Sequence, residues 1–333
     1  MMISVIAVIK YGKLPYQLSW PDFSMTVILT ACTMRKRFSP DVLLNARAIT
    51  AGTTHSVGED WRDRVRRAEP QVSASDLYAG RSMAEAKTAA RAIGAKLTIA
   101  SAGLGLVPAE KKIPSYNLTV SPGSADSILR KLPPEASAYD WWLEVFSSRQ
   151  AEAVSEVLQG NSQALLLVSL PHSYLLMLTP LLISLSTANA GRLRIMTASA
   201  KVDLVPILRP FLLPYDERLD GPDSPIPGTI GDYASRALRH FVTNVLINNP
   251  DGNIADHTDA VRSRLLDWRF PERKAGKRVS DQEVLKLLRD NWAMANGRST
   301  KLLRMFRDEM NIACEQGRFA RLAAIVRNEV AGR

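Results

Sequence analysis

Four short apolar runs constrain the fold of this chain more than any other feature: they lie in TVILTACTMRKRF (26–38), KLTIASAG (96–103), ALLLVSL (164–170) and RLRIMTAS (192–199). Each is strand-length, and the first, apolar through Val27 to Leu29 and ending in small and polar residues, has the pattern of a buried strand. Helix-period segments separate them. A helix is expected in GEDWRDRVRRAEP, closed by Pro70, and another in DLYAGRSMAEAKTAARAIGA, with Ser82 as its cap and Gly94 as its end. Further helices are expected around 125–132, from Trp141 to Leu158, from Tyr174 to Thr187 and over DYASRALRHFVTNVL. Strand and helix in alternation predict an α/β domain over residues 25–249, a doubly wound, mostly parallel sheet. Pro, Gly and Asp crowd the loop LLPYDERLDGPDSPIPGT (212–229), a long connection of the kind that carries function.

Residues 250–333 read as a separate helical module after the linker PDGNIAD, with helices near 255–268, 280–293, 299–312 and 317–330. From Arg262 to Arg333 there are 17 Lys/Arg against 9 Asp/Glu, a net of +8, so most of the chain's +10 is local to this end. Such a balance favours a phosphate-bearing partner. With Ser299 as cap, Leu302, Phe306 and Met310 share one helical face and Lys301, Arg304 and Arg307 lie off it. The pair 281–292 and 299–310 fits a helix-turn-helix-like unit on DNA phosphates, or a plain bundle with a basic solvated face. Arg273, Lys274, Lys277 and Arg278 are phosphate contacts on either reading.

Two cysteines, Cys32 and Cys314, are too few for a disulfide framework, which suits a reducing, cytoplasmic setting. The longest apolar stretches are broken by Pro171 and Pro180 and fall short of a membrane span. Residues 1–24 read as an upstream extension before Met25, or as a short edge strand or docked arm. No HExxH, CxxC, P-loop or GxGxxG occurs, so neither a metal nor a nucleotide cofactor is expected.

Chemistry concentrates near the strand ends, where open α/β sheets collect ligands. Arg35 and Lys36 follow the first strand as backbone-contacting cations. In IASAGLGLVPAEKKIPSYNLTV the glycines turn the chain tightly, Ser101 and Asn117 offer directional hydrogen bonds, and Tyr116 offers a ring for stacking. His172 and Ser173 open a helix after a strand, where free amides can hold a base oxygen or phosphate, or where Ser173 is simply an N-cap. Of the carboxylates, Asp216 in PYDERLDG, with Tyr215 and Arg218 beside it, is the first candidate for a catalytic carboxylate and Asp232 the second; for either one alone a turn or cap role is the commoner use of such an Asp.

ACTMRKR, DLYAGRSMAEA, IASAGLGLVPAEKKIPSYNLTV and LLLVSLPHSYL resemble, in order and spacing, the successive signature blocks of the YaaA-like proteins over about Met25 to Tyr174. With PYDERLDG, GTIGDYASRALRHF and the basic tail, the whole is similar to bacterial anti-phage DNA glycosylases that excise glucosylated hydroxymethylcytosine. The resemblance implies a uracil-DNA-glycosylase-like fold and hydrolysis of an N-glycosidic bond in double-stranded DNA after base flipping. Ser101, Tyr116 and Asn117 fall on its blocks directly; with Asp216, chosen for its loop, Asn117 and Ser101 are the catalytic candidates, and Cys32, Tyr78, Tyr116, Ser169, His172 and Ser173 the base-binding ones. Backbone contacts then fall to Arg35, Lys36, Arg218, Lys301 and Arg304 and the 273–278 cations. Many relatives carry an acid where this chain has Asn117. Two other readings stay open: a non-catalytic DNA-binding stress protein of the YaaA type, and an enzyme of deazaguanine-modified nucleic acid.

Overall fold

Val27, Ile28 and Leu29 are buried in β1 (Val27–Ala31), an interior strand of the sheet with a parallel partner along either edge. This is seen in a computed structural model that describes residues 26–40, 42–146, 164–188, 191–197, 204–272 and 276–331. β3 (Lys96–Ser101) pairs with β1 in the register Val27 to Lys96, and β6 (Leu166–Ser169) in the register Val27 to Leu166. β7 (Leu193–Met196) extends the sheet beyond β6, and β4 (Gly105–Pro108) folds back antiparallel on β3. The result is an α/β sheet of five strands in the order β4-β3-β1-β6-β7. Its four parallel strands are the four apolar runs. A separate antiparallel ladder joins β2 (Val72–Ser73) to β5 (Lys112–Ile113).

The helices pack in two groups. α1 (Thr54–Arg67) lies on α4 (Ala138–Val145), which lies on α5 (His172–Ala188), whereas α3 (Arg81–Ile93), just after the single turn α2 (Ala74–Leu77), packs on α6 (Tyr233–His240) and on the parallel strands. Ser82 does not cap α3: Gly80 does, at φ 100°, a conformation that costs a side-chain-free residue little. Ser82 is thereby one step inside the helix and shares a hydrogen bond with the Ser235 hydroxyl at 2.8 Å. The helix expected over 125–132 is only a 3-10 turn, Ile128–Lys131. Residues 1–24 and the stretch of the 141–158 helix beyond Phe146 lie outside the described residues.

The long 212–229 loop is ordered by one buried cation. Arg236 on α6, with no exposed surface, pairs with Asp232 at 2.6 Å and with Asp220, and donates to the carbonyls of Leu219, Ile226 and Thr229 at 3.0–3.1 Å. Helix α7 (Ile254–Leu265), assigned to the module by the linker reading, sends Val261 and Leu265 into the core of the α/β unit, and its His257 accepts from the buried Arg194 of β7 at 2.9 Å. The chain accordingly divides into compact units at Phe270/Pro271.

The second unit holds α8 (Asp281–Asn291), α9 (Ser299–Asp308), α10 (Gln316–Ala331) and a two-residue parallel ladder of β8 (Lys277–Arg278) with β9 (Ile312–Ala313). Val284, Leu288, Leu302, Phe306, Phe319 and Val326 form its core. Ser299 is the first helical residue of α9 and makes no side-chain cap; Arg298 takes the cap position. α8 packs chiefly on α10, so the unit is a three-helix arrangement closed by a ladder and not a bare helix pair.

Candidate active site

β1 and β6 are neighbours whose connections leave in opposite directions, one towards β3 and the other towards β7. Such a switch point opens a crevice at the carboxyl ends of the two strands. Cys32 follows β1 and Tyr174 lies in the first turn of α5; they meet there, Cys32 Sγ 3.0 Å from Tyr174 Oη. Beneath them, Tyr116 Oη lies 3.6 Å from Cys32 Sγ, 2.8 Å from Tyr78 Oη and 2.6 Å from Ser101 Oγ. Ser101 Oγ also accepts the backbone N–H of Leu104 at 3.0 Å and of Gly103 at 3.4 Å. A side chain at Gly103 would come within 2.9 Å of Trp61 and 3.0 Å of Tyr116, so this close turn requires glycine. Trp61 fixes the turn from the other side by donating its indole N–H to the Gly103 carbonyl at 2.6 Å.

Lys36 completes the cluster. It pairs through its backbone with Tyr78, and its Nζ stands 4.5 Å above the Tyr116 ring centroid and 5.7 Å from that of Tyr78. Burial pushes its pKa down, against opposing pulls from Cys32 and Asp126. Burial, then the field of Cys32, raises all three phenols, so Tyr78, Tyr116 and Tyr174 stay protonated as hydrogen-bond donors.

The sequence-based candidates divide. Cys32, Lys36, Tyr78, Ser101 and Tyr116 come together as one cluster. Ser101, Tyr78 and Tyr116 are nevertheless fully buried and bonded to one another, so they form the layer that positions Cys32 and Lys36. Tyr116 has Trp61 and Tyr78 packed edge-to-face against it and Lys36 over its face, so it is not the open stacking ring expected from the sequence. Asn117 is half-buried, held by backbone bonds to Leu44 and Ala46. Ser169 is buried at the end of β6 and donates to Ser235 at 3.4 Å. His172 is exposed and Ser173 half-buried in the opening turn of α5; the helix begins at His172, so Ser173 is not its N-cap.

Asp216 does not join the cluster. Its segment leaves Leu212, which runs along the outer side of β7, so β6 and β7 stand between that segment and β1. Both carboxylate oxygens are held by the Arg218 guanidinium at 2.8–3.1 Å, and Oδ1 caps a 3-10 turn by accepting the Arg218 N–H. Arg218 also donates to the Leu265 carbonyl and is not a free cation for phosphate. Asp232 is committed to Arg236 and Thr229. Arg35, Lys277, Arg278, Lys301 and Arg304 are exposed, and Arg273 and Lys274 lie outside the described residues.

Sequence reasoning missed Tyr174 and Asp126, and it placed Lys36 on the surface. No local signal ties Tyr174 to Cys32 across 142 positions; only the order of strands does so. Asp126, in the turn that pairs Thr119 with Ser127, is the carboxylate whose field reaches Lys36, and it is bound to Arg47 at 2.5 Å.

Two cavities flank this region. One of about 450 Å³ is lined by Trp61, Gly103 and Ile113 with Arg62, Arg66 and Lys111 at its edge; another of about 260 Å³ lies beside Tyr78 and Gly80, under Arg37, Lys87 and Arg91. Among the described residues no group of three or more His, Cys, Asp or Glu stands close enough to hold a metal ion, and no helix is long and apolar enough to cross a membrane. No family model, no curated protein and no solved structure matches this chain.

Proposed function

We propose that this chain is a cytoplasmic DNA glycosylase of uracil-DNA-glycosylase-like fold that flips out a bulky modified base and breaks its N-glycosidic bond. The first candidate substrate is glucosylated hydroxymethylcytosine in phage DNA, whose removal leaves abasic sites and so protects the host. One observation carries this reading: at the switch point, Cys32 and Lys36 are half-buried over a layer of bonded hydroxyls, and Met34, Arg35, Arg37 and Phe38 are exposed beside them. Basic and apolar side chains interleaved in one loop suit a duplex, with cations on phosphate and an apolar residue entering the base stack. A flipped base would meet Cys32, Lys36, Asn117, His172 and Ser173, while Ser101, Tyr78 and Tyr116 hold that surface in place. The exposed Lys277, Arg278, Lys301 and Arg304 of the second unit supply phosphate contacts.

Duplexes that differ only in having cytosine or glucosylated hydroxymethylcytosine test the reading. Strand breaks after alkali in the modified duplex alone support it. Intact strands in both, with DNA binding retained, refute it and favour non-catalytic DNA binding, a second reading that draws on the engagement of Asp216 by Arg218.

A further inference from the structure

Lys36 is the one cluster residue that is both partly accessible and chemically unspent. Its Nζ makes one long hydrogen bond, 3.4 Å to the Thr33 carbonyl, and no carboxylate lies within ion-pair distance of it among the described residues. Among the described residues, the carboxylate whose field reaches it, Asp126, is already paired with Arg47. Two aromatic rings stand against the amine, 4.5 and 5.7 Å from Nζ to their centroids, and Cys32 is near enough for its field to reach it. A phosphate-binding lysine is solvated and extended; an amine drawn in over aromatic rings, with no ion-pair partner among the described residues, has the setting of an imine-forming lysine.

We propose that Lys36 is a nucleophile that forms an imine with the C1′ aldehyde of an abasic deoxyribose, which gives the chain a strand-cleaving activity in addition to base release. The inference rests on DNA being the substrate, as argued above. The neutral amine adds to the carbonyl carbon of the ring-opened sugar; after proton transfer to the departing oxygen, water leaves and a protonated imine remains. That cation acidifies C2′–H. Loss of the C2′ proton to solvent places the electron pair between C2′ and C3′, the C3′–O bond breaks, and the downstream strand departs with a 5′-phosphate. Water then hydrolyses the imine and returns the Lys36 amine, with no net oxidation or reduction. The burial that lowers the Lys36 pKa raises the share of neutral amine at neutral pH and so favours the first step.

The test uses the full chain and a labelled duplex carrying one preformed abasic site, so base release is not required. With sodium cyanoborohydride present, a covalent protein–DNA adduct is expected, and peptide mass spectrometry should place the reduced sugar on Lys36. Without reductant, the labelled strand should be cut at the abasic site. Lys36→Gln and Lys36→Arg should each lower adduct yield at least tenfold while keeping the wild-type circular dichroism spectrum. An adduct mapped to another amine, wild-type yield from both variants, or no adduct at all overturns the proposal. Base release from modified DNA without any adduct removes the imine and leaves the glycosylase reading standing. An adduct on abasic DNA with no base released from any modified DNA does the reverse.

Discussion

Asp216 and His240 show at the residue scale how titratable side chains are committed to structure. Asp216→Asn keeps the oxygen that caps the 3-10 turn and loses only the charge on a partly exposed pair, 29% and 19% exposed, so its cost is about 1 kcal/mol or less. Base release by this variant is expected to stay within twofold of wild type; its abolition would return Asp216 to the reaction. His240 is buried, with Nδ1 2.8 Å from Tyr215 Oη and its ring edge-on to Trp268, and burial lowers its pKa to about 4. The unfolded chain takes up this proton near the ordinary value of 6.5, while the native ring stays neutral down to about 4. Stability is therefore full above pH 6.5 and declines as pH falls towards 4, by on the order of 3 kcal/mol from this group. His257, also lowered chiefly by burial, acts in the same direction. Melting temperatures should fall across that window, and His240→Asn, which cannot titrate, should reduce the fall; an unchanged slope contradicts the assignment.

The parallel sheet was legible at the element scale because its strands are short apolar runs separated by helix-period segments. Helix starts were less so. Ser82 and Ser299 are good caps by residue type, but α3 begins at Arg81 and α9 at Ser299 itself, which leaves each serine inside its helix's first turn. The 212–232 connection was recognisable as a long loop, but its order was not, since it derives from Arg236, a helix residue placed beneath it. Arg236→Met should therefore unfold this region first. Removing one partner leaves Asp232, Asp220 and three carbonyls without their donor in a buried setting, a loss of about 3–5 kcal/mol. A urea midpoint equal to wild type would show that the hub is dispensable. The candidate site was half legible for a similar reason: Ser101, Tyr116 and Cys32 sit in recognisable strand-end motifs, whereas Tyr174 and the inward turn of Lys36 follow from strand order.

The basic excess becomes a property of distinct units at the scale of the whole molecule. The C-terminal unit has its own core and shows Lys277, Arg278, Lys301 and Arg304 to solvent, so its charge is available for phosphate. Replacing these four by Gln should weaken binding to all duplexes alike and lower the slope of log K against log salt by about 3 to 4, at 0.9 per phosphate contact. A slope equal to wild type would place the grip elsewhere. On the proposed function, base selection would fall to the α/β unit, where the half-buried amine and thiol at the switch point and the exposed Met34–Phe38 loop come together. The most direct test of this account is mass spectrometry of small molecules released when the full chain is incubated with phage DNA containing glucosylated hydroxymethylcytosine. The account predicts the free modified base, in amounts equal to the abasic sites formed, and none from unmodified DNA. Tight binding to the modified DNA with no base released would contradict it.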